Sequence, residues 1–370
     1  MTFKEFNQIG EIGLRPIIQE LYGLAGYDIK MVDRGYDIFE GQNAVYYCEK
    51  EGNNGKILRL SLNDRSREEL LAEAGYIRYL YENGGNVSNV ITSLNGNLVE
   101  EITLNNITGF VGLFEKAKGM QFHENGYHYR EGVPISEYYF NIGKTIGKIH
   151  HLSKKYESNH KRCSFFDKYN TNYINELIPG SFSLLKSKLN EIWNTLEQLG
   201  NNREIYGMIH LDYNDSNYSI DFETGQLTVY DFDNSCFGWY LYDLAFNWMY
   251  AVGFAQHEKD SETRKKIMDD YFNIVVKGYR TETGIEDWLL EKFPFFIDVV
   301  IMALIIEAFE YIRSNNKENE YDFELSYLIK CIEDGIPYMG FFHDIYSCGK
   351  PFEYEDERID LYISTLTSGK

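Results

Sequence analysis

The chain has 370 residues, 44% of them hydrophobic, with 36 basic against 57 acidic side chains and a net charge of −21. It is long enough for two hydrophobic cores, no run of about eighteen apolar residues marks a membrane span, and its charge repels nucleic acid and anionic membrane surfaces. The five cysteines (Cys48, Cys163, Cys236, Cys331, Cys348) form no C-x-x-C pair, and Met1-Thr2-Phe3-Lys4-Glu5-Phe6 lacks an apolar signal core, so neither a zinc site nor a disulfide framework is indicated and the expected compartment is the cytoplasm.

Residues 1–26 read as a helical lead-in, and residues 27–62 carry a strand period. One strand ends near Phe39. The loop Glu40-Gly41-Gln42-Asn43 follows, then Ala44-Val45-Tyr46-Tyr47-Cys48, the turn Gly52-Asn53-Asn54-Gly55, and Lys56-Ile57-Leu58-Arg59-Leu60. Two hairpins of this kind predict a small antiparallel sheet. Residues 64–81 predict an amphipathic helix, with Leu70, Leu71, Ala74, Ile77 and Leu80 at helical spacing and Asn83-Gly84-Gly85 as its stop. Strands near 90–94, 98–102 and 109–115 complete the sheet. The chain beyond is mostly helical. A helix is predicted over 138–156 with Ile142, Ile146, Ile149 and Leu152 inward, and others near 262–279, 284–292, 294–315 and 321–334. The tail around Tyr354-Glu355-Asp356-Glu357-Arg358 is charged and read as peripheral.

Between these helices stands the stretch that carries the chemistry: His210-Leu211-Asp212-Tyr213-Asn214-Asp215-Ser216-Asn217, followed by Asp231-Phe232-Asp233. Residues 218–221 and 227–230 read as the two strands of a hairpin around a Gly-bearing turn over 222–226. Such a hairpin brings Asn217, at its entry, beside Asp231, at its exit. Two hard oxygen ligands with room for waters and phosphate oxygens suit Mg²⁺. A further carboxylate next to the pair, Asp212, is placed to accept a hydroxyl proton. Base, amide ligand and carboxylate ligand together are the working set of a kinase. Two other motifs fall away. Gly143-Lys144-Thr145 lacks the earlier glycine of a phosphate-binding loop and lies within a helix. His123 and His128 are spaced one residue too far apart for a zinc-protease helix, and Gly126 interrupts them.

On these residues the chain resembles the aminoglycoside phosphotransferase and choline kinase superfamily, protein-kinase-like small-molecule kinases whose pattern is roughly H-G-D-x-x-x-x-N, a hairpin, then I-D-F or I-D-L. Leu211 stands where the family usually has Gly, and Asn214-Asp215 stands where His-Pro is common. The resemblance implies an α+β, two-lobe fold with a small antiparallel-sheet lobe over 1–115, a joint at 116–119 and a larger, mostly helical lobe over 120–370. It implies Asp212 as catalytic base and Asn217 and Asp231 as metal ligands. It also implies that the loop with Gly41 and Asn43 covers the phosphates, and that backbone groups of Glu115 and Ala117 read the adenine edge. Arg59 takes the strand position where kinases place a phosphate-binding lysine, with Glu73 its expected partner and Glu69 the other register. A strand residue facing solvent is the alternative for Arg59. Asp243, in Gly238-Trp239-Tyr240-Leu241-Tyr242-Asp243-Leu244-Ala245, is usually structural in the family, but it also joins Glu307 and Glu310 as an acceptor-site candidate. His150 reads as a buried structural histidine.

The expected activity is transfer of the γ-phosphate of ATP (or GTP), with Mg²⁺, to a hydroxyl of a small molecule such as an aminoglycoside, choline or ethanolamine, homoserine or a sugar. The acidic surface and the paired Glu307 and Glu310 favour a cationic or amine-bearing acceptor; solubility alone is the other explanation of the charge, and a solvated helix face that of the glutamates. A kinase-like protein acting on proteins, of stress or spore-coat type, and a nucleotide-binding pseudokinase are the remaining alternatives.

Overall fold

The hydrophobic period changes from two to three or four along the chain, and the structure, a computed structural model, changes from strands to helices with it. It describes residues 3–32, 43–61, 65–104, 107–251, 255, 258, 260–317, 325–338 and 356–368. The strand end near Phe39, Gly41, residues 62–64 and residues 321–324 of the sequence-based reading lie outside this set. In chain order the elements are helix α1 (Phe3–Tyr22); strands β1 (Asp28–Met31), β2 (Ala44–Glu49) and β3 (Lys56–Ser61); helix α2 (Arg67–Glu82); strands β4 (Val90–Ile91), β5 (Glu100–Leu104) and β6 (Ile107–Glu115); helices α3 (Ile135–Ser153), α4 (Phe165–Lys168), α5 (Thr171–Leu177) and α6 (Ser183–Leu199); strands β7 (Tyr206–Ile209), β8 (Tyr218–Ile220), β9 (Leu227–Val229) and β10 (Cys236–Trp239); and helices α7 (Tyr240–Tyr250), α8 (Ser261–Tyr279), α9 (Asp287–Leu290), α10 (Phe293–Asn315), α11 (Leu325–Asp334) and α12 (Glu357–Ser368). The class is α+β, an antiparallel-sheet region followed by a helical one.

The chain groups into two compact units. The first takes Met1–Val133, Lys155–Arg162 and Ser216–Asn234; the second takes Pro134–Lys154, Cys163–Asp215 and Ser235–Lys370. The 116–119 joint therefore lies inside the first unit. The reason is local: after β6 the backbone pairs with the β8–β9 hairpin, Ile220 N–H donating to Met120 O at 2.8 Å and Met120 N–H to Ile220 O at 3.2 Å. That approach needs Gly119, which has φ +89° and whose Cβ, if present, would stand 1.8 Å from Ile220 O.

In the first unit the sheet order is β1-β2-β3-β6-β4, with β5 also paired to β6. Strand alternation sends Ala44, Tyr46, Cys48, Leu58 and Leu60 to one face, where Leu14, Ile18 and Tyr22 of α1 close the core. Arg59, between Leu58 and Leu60, is thereby turned to the opposite face. Helix α2 starts at Arg67 rather than at residue 64, because Ser66 is its N-cap. Ser66 and Glu69 form a reciprocal capping box, worth about 1 kcal/mol in such settings. Leu70 and Ala74 of α2 pack with Val90 and Val99 in a second cluster.

In the second unit α3 and α8 run close together. A Cβ on Gly143 of α3 would sit 1.8 Å from Val275 O of α8, so the contact is backbone against backbone. α10 is buried along most of its length, from Phe296 to Ile312, and most of α7 is buried. Among the described residues no helix is long and apolar enough to cross a membrane. The tail is less peripheral than its charge implies: Arg358 of α12 holds Glu333 of α11 at 2.9 Å.

Candidate active site

The expected hairpin forms in the first unit with the register Tyr218↔Val229, Ser219↔Thr228 and Ile220↔Leu227. One step beyond its open end, Tyr230 N–H donates to Asn217 O at 3.0 Å. Asn217 thus stands at the entry of the hairpin, opposite Tyr230, and Asp231 is the next residue after Tyr230 at its exit. Asn217 is buried, while the Asp231 side chain is 43% exposed and so able to meet a ligand. Asp231 has φ 63°, a left-handed conformation that Asp tolerates better than most residues and that often marks a functional turn. Among the described residues no cluster of three or more His, Cys, Asp or Glu side chains forms a cation cage. A pair of hard oxygens fits the way Mg²⁺ is held when substrate phosphates complete its shell.

Arg59 and Glu73 meet on the α2 face of the sheet. Arg59 Nη1 donates to Glu73 Oε1 at 2.7 Å and Nη2 to Oε2 at 2.5 Å, a two-pronged pair. The Glu73 side chain is fully buried and Arg59 is 11% exposed. Burial opposes the guanidinium charge, but Glu73 beside it holds Arg59 above its ordinary value. The guanidinium lies over the Phe114 ring, 5.1 Å from its centroid, and its Nη1 is 3.8 Å from Asp231 Oδ1. Glu69, the other register, is occupied with the α2 cap. Asn43 is buried at the start of β2; its Oδ1 accepts from Ser61 Oγ at 2.5 Å and its Nδ2 donates to Asp233 Oδ2 at 3.2 Å. Glu115 ends β6 with its N–H bonded to Asn89 O at 2.8 Å and its carbonyl accepting from Ser88 Oγ. Of the adenine-reading groups expected at Glu115, the N–H is thus engaged, and the carbonyl keeps one lone pair. Ala117 lies half-buried in the extended stretch before Gly119.

The loop with Asp212 belongs to the second unit and leaves β7, which pairs with β10. Asp243, in the first turn of α7, organises it. His210 N–H donates to Asp243 Oδ2 at 2.8 Å, Leu211 N–H to Oδ1 at 2.9 Å, and His150 Nε2 lies 3.0 Å from Oδ2. Burial lowers the affinity of His150 for a second proton, with Asp243 opposing. A neutral ring with Nε2–H directed to Asp243 leaves Nδ1 to accept from Tyr279 Oη at 3.1 Å. Asp243 is fully buried and accepts from three donors, so it has no surface to offer an acceptor substrate, one of the sequence-based expectations. Its role is to hold the loop.

Leu211 has φ 71°, the conformation that glycine adopts without cost. The loop thus keeps a left-handed turn with Leu where the family has Gly; the Asp243 bond and burial of the Leu side chain hold it there. Tyr213 Oη donates to Ile142 O at 2.9 Å and pins the loop from within. Asp212 itself is half-exposed, and Asn214 Nδ2 donates to its Oδ1 at 2.6 Å. That bond orients one oxygen of the carboxylate. Asn214 was legible only as a departure from His-Pro; its two-residue spacing from Asp212 was the signal.

Glu307 and Glu310 lie one turn apart on α10. Tyr169 Oη donates to Glu307 Oε1 at 2.8 Å, and Tyr173 Oη to Glu310 Oε1 at 2.5 Å. Burial, then Glu307, raises the Tyr242 hydroxyl well above its ordinary value, with Asp212 a weaker contributor. Glu307 and Asp212 thus both act on Tyr242 within the second unit. Sequence reasoning missed Arg65 and Arg162, which meet Asp233 next to Asp231 in the first unit; isolated charges give no spacing signal.

Residues 39–280 match the phosphotransferase enzyme family. A curated relative, the amicoumacin kinase of Bacillus subtilis (strain 168), is 23% identical over 312 residues, covering 82% of this chain and 88% of its own. The solved amicoumacin kinase hAmiN, in complex with AMP-PNP, Ca²⁺ and Ami, superposes with a TM-score of 0.74 at 20% identity over 92% of this chain and 98% of that one. A microcompartment-associated aminopropanol kinase superposes with a TM-score of 0.63 at 20% identity over 96% and 98%. The family match spans well over half of the chain, across the Arg59 strand, the Asp212 loop and the Asp231 hairpin alike: the protein belongs to the phosphotransferase enzyme family, within the aminoglycoside phosphotransferase and choline kinase superfamily.

Proposed function

We propose that this chain is a small-molecule kinase that transfers the γ-phosphate of ATP (or GTP) to a hydroxyl of an amine-bearing acceptor. The observation that carries the reading is the Asp212 loop. A carboxylate is oriented by Asn214 on a turn fixed by Asp243, and five residues later the chain enters a hairpin whose ends are Asn217 and Asp231. Asp212 accepts the proton of the acceptor hydroxyl as its oxygen bonds to the γ-phosphorus and the bond to the β-phosphate oxygen breaks. Asn217 and Asp231 would hold Mg²⁺, which when bound neutralises charge on the phosphates. Arg59, kept in place by Glu73, would meet the phosphate oxygens, and the end of β6 around Glu115 and Ala117 the adenine edge. Most of the acceleration then comes from positioning and charge compensation.

The relatives are named amicoumacin kinase and aminopropanol kinase, which supports a small-molecule acceptor, and the paired Glu307 and Glu310 are the groups we assign to a cationic one. A protein acceptor is disfavoured by the short path after Asp231: one 3-10 turn, Phe232–Asn234, leads straight into β10, leaving no segment to cradle a peptide. The test is phosphate transfer from labelled ATP across a panel of amino alcohols, amino sugars, neutral sugars and peptides. Transfer to an amine-bearing small molecule is expected. Nucleotide binding with no transfer to any member of the panel would refute the reading.

A further inference from the structure

The backbone just after Asp231 is held by side chains from three distant parts of the sequence. Asp233 Oδ2 accepts from Arg65 Nη2 at 3.0 Å and from Asn43 Nδ2 at 3.2 Å. Asp233 O accepts from Arg65 Nη1 at 3.1 Å and from Arg162 Nη2 at 2.5 Å. Arg162 also reaches Phe232 O at 3.3 Å and, through Nη1, Glu69 O of α2 at 3.1 Å. Phe232 itself is fully buried and edge-on to Tyr76 of α2, with centroids 5.8 Å apart.

We propose that Arg65, Arg162 and Asn43, converging on Asp233, are positioning residues that lock Asp231 in its left-handed conformation. Through them the metal ligand is coupled to the start of α2 and to the residue that precedes β2. The inference rests on the reading of Asp231 as a metal ligand. Its physical basis is a closed circuit. Arg65 precedes the Ser66 cap and so ties α2 to Asp233; α2 carries Glu73; Glu73 grips Arg59; and Arg59 comes back to within 3.8 Å of Asp231. A residue with positive φ persists only where its surroundings over-determine it, and here two guanidinium forks supply that constraint. Asp233 serves as the anchor rather than as a further ligand, because Oδ2 is shared by Arg65 and Asn43 and the side chain is only 16% exposed.

The experiment is calorimetry of AMP-PNP binding by the full chain as a function of Mg²⁺, with thermal unfolding of each variant as a check on folding. Arg65→Ala and Asp233→Asn are expected to raise the Mg²⁺ concentration for half-maximal binding about tenfold or more, since a displacement of roughly 1 Å at a reacting centre costs up to about a hundredfold. Metal-free nucleotide affinity should change by less than about twofold, because the phosphate-facing Arg59 is retained. Arg65→Lys, which keeps the charge but loses the fork, should fall between Arg65→Ala and the wild type; together with Asp233→Asn it also serves if Arg65→Ala does not fold. Asp231→Ala is the reference. If it abolishes the Mg²⁺ dependence while the folded Arg65 and Asp233 variants keep the wild-type dependence, the positioning inference is overturned and the metal site stands. If Asp231→Ala leaves the dependence unchanged, the metal site itself fails and the inference with it.

Discussion

Replacing Leu211 by the glycine usual in the family sets two terms of known sign against each other. Relief of the left-handed strain at φ 71° favours the variant by about 1–2 kcal/mol. Against it stands the loss of a buried side chain that is 4% exposed, which for Leu→Ala in cores costs about 2–5 kcal/mol. Glycine adds roughly 0.5–1 kcal/mol through the greater freedom of the unfolded chain. Packing wins in the middle of these ranges, so Leu211→Gly is expected to destabilise by about 2–3 kcal/mol. Leu211→Ala loses the same packing but keeps the Cβ in the strained region, and should be less stable than Leu211→Gly by roughly 1 kcal/mol. Urea unfolding followed by near-ultraviolet circular dichroism measures both. A midpoint for Leu211→Gly at or above that of the wild type would show that strain, not packing, dominates, and the account of how this loop is held would be wrong.

Asp212→Asn should lower the rate of transfer roughly 10²–10⁴-fold while nucleotide affinity stays close to that of the wild type; a rate within threefold of wild type would remove Asp212 as the base. Charge reversal at Glu307 and Glu310 should raise KM for a cationic acceptor and leave the ATP constant nearly unchanged. The wild-type KM for that acceptor should itself rise with salt, which screens over about 10 Å at 0.1 M; a KM flat in salt, or a best acceptor that is neutral or anionic, would refute the carboxylate site. Asp298 has its carboxyl pushed up to about 6 by burial. A folded-state value above the unfolded one means that Asp298 favours folding below the usual carboxylate range and loses that contribution as pH rises through about 6. Asp298→Asn should therefore unfold at a higher temperature than the wild type at pH 8, with the gap closing by about pH 4; a gap independent of pH would mean that the burial of Asp298 is not what shifts its titration.

The order of elements around the chemistry was written locally. Alternation in Ala44-Val45-Tyr46 and Leu58-Arg59-Leu60 names both the strands and the faces they bury. The Gly-bearing turn after Tyr218 marks a hairpin, and that hairpin forms between the two segments read as its strands. The 3.6-residue period in α2 carried Glu73 onto the face that Arg59 reaches, because strand and helix geometry each depend on residues within a few positions. The five-residue step from Asp212 to Asn217 was legible for the same reason.

What only the tertiary structure decided is which charged groups meet when their spacing carries no period. Asp243 lies more than thirty residues beyond Leu211, and only folding makes it the acceptor for the loop's N–H groups rather than a contact for substrate. Arg65 and Arg162 are unremarkable along the chain and become one network with Asp233 once α2 packs beside the hairpin exit. The left-handed turn at Leu211 was likewise hidden, since a leucine signals burial and not a positive φ. Long-range polar pairing depends on packing geometry to within an ångström or so, whereas helix and strand faces depend on repeats within a few residues; the first is a property of the fold, the second of the sequence.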